Sequence, residues 1–170
     1  VYSEYDDGIL EGFDQLKYVV DCLHNSPENR RIVVNYWNPI QLDIQALPAC
    51  HYGWCVTVIE NEISLGFTMR SVDMACGWPS NIAHYALILL LLAKEGGFTP
   101  HKLTSTLYNC HIYVNHKEGL LEQLSRNTYL LPRVNILNKD NEFSIFDWEY
   151  DDVEILNYVH EPNIKFEVAV

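Results

Sequence analysis

The sequence has no Cys-x-x-Cys pair, no basic run and no apolar stretch that would span a bilayer. Its five cysteines, Cys22, Cys50, Cys55, Cys76 and Cys110, are odd in number and lack the paired spacing of a structural zinc site. A reducing compartment fits that pattern, and a cytoplasmic location is expected (the host's cytoplasm for a viral protein). The longest apolar run, Tyr85 to Ala93, falls well short of the roughly 20 residues of a membrane-crossing helix and reads as a core helix. No N-terminal stretch combines basic residues, a short apolar run and a small-residue cleavage site, so no secretory signal is expected. Cations are scarce: Lys and Arg number 11 against 23 Asp and Glu, a net charge of −12. That balance argues against nonspecific nucleic-acid binding, which needs cations to neutralise phosphates. The only adjacent cations are Arg30-Arg31, and Arg70 stands in an apolar neighbourhood.

What is present is enough for a core. With 170 residues, 48% hydrophobic and 12% aromatic, the chain suits a single domain over residues 1–170, and no repeat, linker or low-complexity tract divides it. Residues 1–12 are acidic and turn-prone and read as a solvated segment. Leu16, Val19, Val20 and Leu23 recur at helical spacing behind Asp14, a suitable N-cap, and Asn25-Ser-Pro-Glu-Asn29 closes that helix. Arg31–Trp37 has strand character. His51–Ile59 and Glu62–Arg70 read as a hairpin about Glu60-Asn61, which puts Cys50 and Arg70 at the same end. Pro79–Lys94 reads as a long helix with Asn81 in its first turn, stopped by Gly96-Gly97. Leu103–Tyr113 is expected as a strand, Asn115–Arg126 as a helix, and Val134–Leu137, Phe143–Trp148 and Val153–Tyr158 as further strands. The fold class is therefore α+β.

Several residues carry chemistry, each with a plain structural reading beside it. Cysteine attacks as its thiolate, which a neighbouring cation favours, so Cys50 beside Arg70 reads as a nucleophile or as a packed core thiol. His51 follows Cys50 directly and would point to the opposite face of a strand, a poor position for a base. Arg30, Arg31 and Arg70 match an anion such as phosphate, or are ordinary surface charge. Asn81 is a helix-start residue, or an amide that donates to and accepts from a base edge such as uracil's. His111, Tyr113 and His116 are closely spaced, yet no Asp, Glu or Cys lies at ligand spacing from them, and no metal is expected.

Their order along the chain is more specific than any one of them. Asn29-Arg30-Arg31-Ile32, Trp37-Asn38-Pro39, Ala46-Leu-Pro-Ala-Cys50-His51, Arg70-Ser71-Val-Asp73, Gly77-Trp-Pro-Ser-Asn81-Ile-Ala, His111-Ile-Tyr113-Val-Asn-His116 and the terminal Ile164-Lys165 to Ala169-Val170 closely resemble the thymidylate synthase superfamily, over nearly all of residues 14–170. The resemblance implies a mixed, mostly antiparallel sheet packed with helices, with one sheet face forming a homodimer interface. It implies one-carbon transfer from 5,10-methylenetetrahydrofolate, as co-substrate, to C5 of a pyrimidine deoxynucleoside monophosphate. By matching position, Cys50 would add to C6 of the base. Arg70 and Ser71 would hold the phosphate, with Arg30 and Arg31 reaching it from the partner subunit. Asn81 would read the base, His111 and Tyr113 the sugar hydroxyl, and Asp73 the pterin. Cys76, Gly77 and Ser80 would line the folate site, which Ala169 and Val170 would help close.

Departures from the family pattern bear on the product. Met69-Arg70-Ser71 and Trp78 resemble the phage-type deoxycytidylate hydroxymethylases, whereas Asn81 points to uracil. Cys76 and Ser80 replace larger apolar residues, and a methylene intermediate that meets water leaves as hydroxymethyl. The expectation therefore leans to a deoxyuridylate hydroxymethylase, with a divergent thymidylate synthase making dTMP and dihydrofolate, or an inactive nucleotide-binding homologue, as alternatives. The family's N-terminal segment has no counterpart here, so the chain is expected to be N-terminally incomplete relative to the family.

Overall fold

The structure is a computed structural model and describes residues 2–4, 10–137 and 143–167. Strands β1 (Tyr2–Glu4) and β2 (Leu10–Gly12) pair antiparallel, a short ribbon where a solvated segment was expected. Helix α1 spans Gln15–Asn25, and the Asp14 side chain accepts from the Lys17 backbone N–H as the expected N-cap. Then come β3 (Val33–Asn35), β4 (His51–Ile59), β5 (Glu62–Met69), β6 (Val72–Asp73) and α2 (Trp78–Gly96). The remainder is β7 (Thr99–Leu107), β8 (Cys110–His111), α3 (Lys117–Ser125), β9 (Arg133–Ile136) and β10 (Val153–Leu156).

The main sheet runs β3-β4-β5-β7, antiparallel at the first two pairings and parallel at the last. Alternation in β4 and β5 sends Trp54, Val56, Val58, Ile63, Leu65, Phe67 and Met69 to one face, where they are buried in a common core with α1 and α2. Phe67 anchors that core: Tyr85 of α2 stacks on it at 3.9 Å between centroids, and Trp78 stacks more distantly at 6.3 Å. On the opposite face Val33, Cys55, Thr57 and Ile59 are exposed. The hairpin has the expected two-residue turn, with Ile59 opposite Glu62 and Glu60 at a φ of 56°. Helix α2 stops at Gly97, whose φ of 72° suits a residue without Cβ.

The expected strand Leu103–Tyr113 is two strands. β7 starts earlier, at Thr99, and accommodates Pro100 because it pairs on one side only. Asn109, at a φ of 41°, breaks the chain's direction, and β8 pairs instead with β6 in parallel, Asp73 opposite His111. The expected helix Asn115–Arg126 is a 3-10 turn, Val114–His116, followed by α3. Phe143–Trp148 forms no strand: Ile145 turns inward to the core, and its N–H donates to the Glu95 carboxylate at 2.7 Å. The pair β9 and β10 matches the remaining two expected strands. Among the described residues no helix is long and apolar enough to cross a membrane.

Candidate functional site

Cys50 stands just before β4 and Arg70 just after β5, and the Arg70 backbone N–H donates to the Cys50 carbonyl at 2.9 Å. The arginine side chain turns back over the same segment. Its Nε donates to Ala49 O at 2.9 Å and its Nη2 to Pro48 O at 2.7 Å, while the guanidinium lies 5.8 Å from the centroid of the Trp37 ring. The fork thus fixes the backbone that presents Cys50. Among the described residues Arg70 has no carboxylate partner. Cys50 is half-buried, unlike Cys22, which is the buried thiol. It packs against the core from its margin.

Beside Cys50 a cavity of about 480 Å³ is lined by Tyr36, Ala49, His51, Ser80, Asn81, His84 and Tyr85. The residues from α2 fall at i, i+3 and i+4 spacing on one helix face, a signal that picks out His84 and Tyr85 once Asn81 is placed. Asn81 Nδ2 donates to His51 Nε2 at 3.2 Å, so the proton of the neutral ring sits on Nδ1, which is buried and has no hydrogen-bond partner among the described residues. Burial, and then the neighbouring His84, lowers the pKa of His51. Burial, and then Tyr36, raises that of the Tyr85 phenol, which stays protonated. The cavity therefore presents polar groups that donate or accept hydrogen bonds, His51 and Tyr85 among them.

On the far side of the β5 end, Ser71 Oγ accepts from Asn109 Nδ2 at 3.4 Å. His111 Nδ1 donates to Asn109 O at 2.9 Å, and the Tyr113 ring stands edge-on to His111 at 5.1 Å. Asp73 Oδ1 accepts from the N–H groups of Ala75 and Cys76, at 2.9 and 3.3 Å. Gly77 lets the chain close here: a Cβ would lie 3.1 Å from Asp73 O and 3.3 Å from Asn81 Oδ1. The exposed Cys76 thiol has its pKa raised by desolvation and then by the Asp73 carboxylate. His116, which sequence spacing set aside, is fully buried with Nδ1 3.9 Å from Asp73 Oδ1.

Pairing and packing thus join Cys50 to Arg70, Asn81 to Gly77, and Asp73 to His111. Arg30 and Arg31 stay apart, exposed on the turn before β3, where Asn29 Oδ1 accepts from the Arg31 N–H at 3.0 Å. Ala169 and Val170 lie outside the described residues. Described residues end at Glu167, whose carbonyl accepts from His116 Nε2 at 2.6 Å.

A half-buried thiol at a hairpin mouth, on backbone that an arginine fork holds and beside a cavity lined by polar side chains, is a site suited to nucleophilic attack. The family model described as thymidylate synthase matches residues 3–170, and the chain belongs to that family. It is 42% identical to a thymidylate synthase of Mycoplasma pneumoniae over 95% of this chain and 55% of that protein. It is 41% identical to a thymidylate synthase of Staphylococcus haemolyticus, over 93% of this chain and 49% of that protein. A bifunctional dihydrofolate reductase-thymidylate synthase of Leishmania major is 40% identical over 94% of this chain and 31% of that protein. The chain thus spans about half the length of the two single-function relatives.

Proposed function

We propose that the protein is a thymidylate synthase, which transfers the one-carbon unit of 5,10-methylenetetrahydrofolate to C5 of dUMP and releases dTMP and dihydrofolate. The observation that carries this reading is the Arg70 fork on Pro48 and Ala49, which holds the backbone next to Cys50, whose neighbours Ala49 and His51 line the cavity. In this mechanism the Cys50 thiolate adds to C6 of the uracil ring and C5 becomes the nucleophile towards the folate methylene. The uncharged Asn81–His51 pair faces the base, an acceptor and donor surface matched to uracil. Arg70 and Ser71 hold the phosphate, with Arg30 and Arg31 of a second subunit, and His111 and Tyr113 hold the sugar hydroxyl. Asp73, Cys76, Gly77 and Ser80 face the folate, over which Ala169 and Val170 close. The homodimer is built on the exposed face of the main sheet, and the protein works in the cytoplasm.

The polar Cys76 and Ser80 favoured a hydroxymethyl product on sequence grounds. The relatives named above are all called thymidylate synthases, which supports the methyl outcome. Mass analysis of the nucleotide formed by the full-length gene product distinguishes the two, since the products differ by one oxygen. The reading predicts dTMP with dihydrofolate. A hydroxymethyl nucleotide, or unchanged dUMP, contradicts it.

A further inference from the structure

Asp73, Cys76 and His116 each offer a ligand atom, and these atoms lie within 4.8 Å of one another. They arrive from β6, from the turn before α2 and from the 3-10 turn before α3, so no spacing in the sequence announces them. His116 is the residue to explain. Its ring is fully buried, held edge-on between Tyr113 at 5.6 Å and Phe166 at 5.2 Å. Nε2 donates to Glu167 O at 2.6 Å, which leaves Nδ1 as the ring nitrogen still to be satisfied. That nitrogen is buried, has no hydrogen-bond partner among the described residues, and faces the partly exposed Asp73 Oδ1 across 3.9 Å. A fully buried ring nitrogen left without a hydrogen bond is unfavourable unless something occupies the space in front of it. A carbonyl behind the imidazole and a free nitrogen in front is the arrangement that orients a metal-bound histidine. Asp73 is equally prepared, its carboxylate fixed by the Ala75 and Cys76 N–H groups.

We propose that Asp73, Cys76 and His116 bind a divalent cation of the zinc type, with one carboxylate, one thiolate, one imidazole and a fourth position open to water. The Cys76 thiol releases its proton to solvent, and the resulting thiolate and the carboxylate together balance the 2+ charge. Thiolate and imidazole select zinc over the hard cations Mg²⁺ and Ca²⁺. Bonds of roughly 2.0–2.3 Å at tetrahedral angles place ligand atoms about 3.3–3.7 Å apart, a contraction of roughly 1 Å that rotation of the exposed Cys76 side chain brings within reach. Exposure of Cys76 also gives the ion its entry from solvent. The ion takes no part in one-carbon chemistry. On the reading proposed above, Asp73 and Cys76 face the folate, so ion and folate compete for one place and zinc acts as a reversible inhibitor.

Cobalt(II) titration of the full-length gene product, reduced with a non-thiol reagent, tests the site without reference to turnover. One equivalent per chain is expected to give tetrahedral visible bands and a sulfur-to-cobalt charge-transfer band, both removed by one equivalent of Zn²⁺. Cys76→Ser, at an exposed position, is expected to abolish the charge-transfer band and weaken binding at least about tenfold, with Cys55→Ser and Cys110→Ser unchanged. His116→Gln, with its fold checked by circular dichroism, is expected to weaken binding likewise. Absence of the charge-transfer band at one equivalent, or its survival in Cys76→Ser, overturns the proposal. Methylenetetrahydrofolate is expected to displace the cobalt. A cobalt signal unmoved by folate overturns the competition and the folate-facing assignment of Asp73, while the metal site stands.

Discussion

Arg70 commits two of its donors to the backbone of Pro48 and Ala49, so its first effect is on the shape of the segment that carries Cys50. Arg70→Lys keeps the charge but cannot reproduce the planar fork. It is expected to lower stability by about 1–3 kcal/mol in urea unfolding, and an unchanged midpoint would contradict the fork's structural role. His51 gives a second residue-level prediction. Its folded pKa lies below the ordinary 6.5, so the unfolded chain binds the proton more readily, and stability falls as pH drops through 6.5 towards the lowered value. His51→Gln is expected to flatten that part of the stability profile, read as urea midpoint against pH. The Cys50–Arg70 neighbourhood was legible in the sequence because a hairpin with a two-residue turn fixes which residues meet at its open end. The approach of His116 to Asp73 was not, because it depends on the parallel pairing of β6 with β8, which leaves no local pattern.

At the scale of elements, the hairpin and the two long helices were read nearly to the residue, since alternation and helical spacing report directly which face is buried. They do not report which neighbour covers it. For that reason the sequence pattern starts β7 late, carries no sign of the break at Asn109, and makes Phe143–Trp148 look like a strand. The β5–α2 contact carries much of the packing. Phe67→Ala removes a fully buried ring stacked on Tyr85 and is expected to cost about 3–5 kcal/mol in denaturant unfolding. A loss below about 1 kcal/mol would show that the stack collapses without consequence.

Across the whole molecule, the outer face of the main sheet exposes Val33, Cys55, Thr57 and Ile59, where the helices cover the other face. Closing that face is the role proposed for the homodimer, and Arg30 and Arg31, exposed on a turn before β3, are the cations proposed to reach the opposite subunit's phosphate. Sedimentation equilibrium of the gene product is expected to give twice its chain mass, and Val33→Asp is expected to shift it towards the monomer. A wild-type monomer at tens of micromolar would contradict the interface.

The account rests on Cys50 acting as the nucleophile towards a pyrimidine. Release of tritium from C5 of labelled dUMP, with methylenetetrahydrofolate and the full-length gene product, measures that step most directly. Turnover-dependent release that falls at least about a thousandfold in Cys50→Ser is the predicted result. No release from the wild type, or equal release from Cys50→Ser, would contradict it.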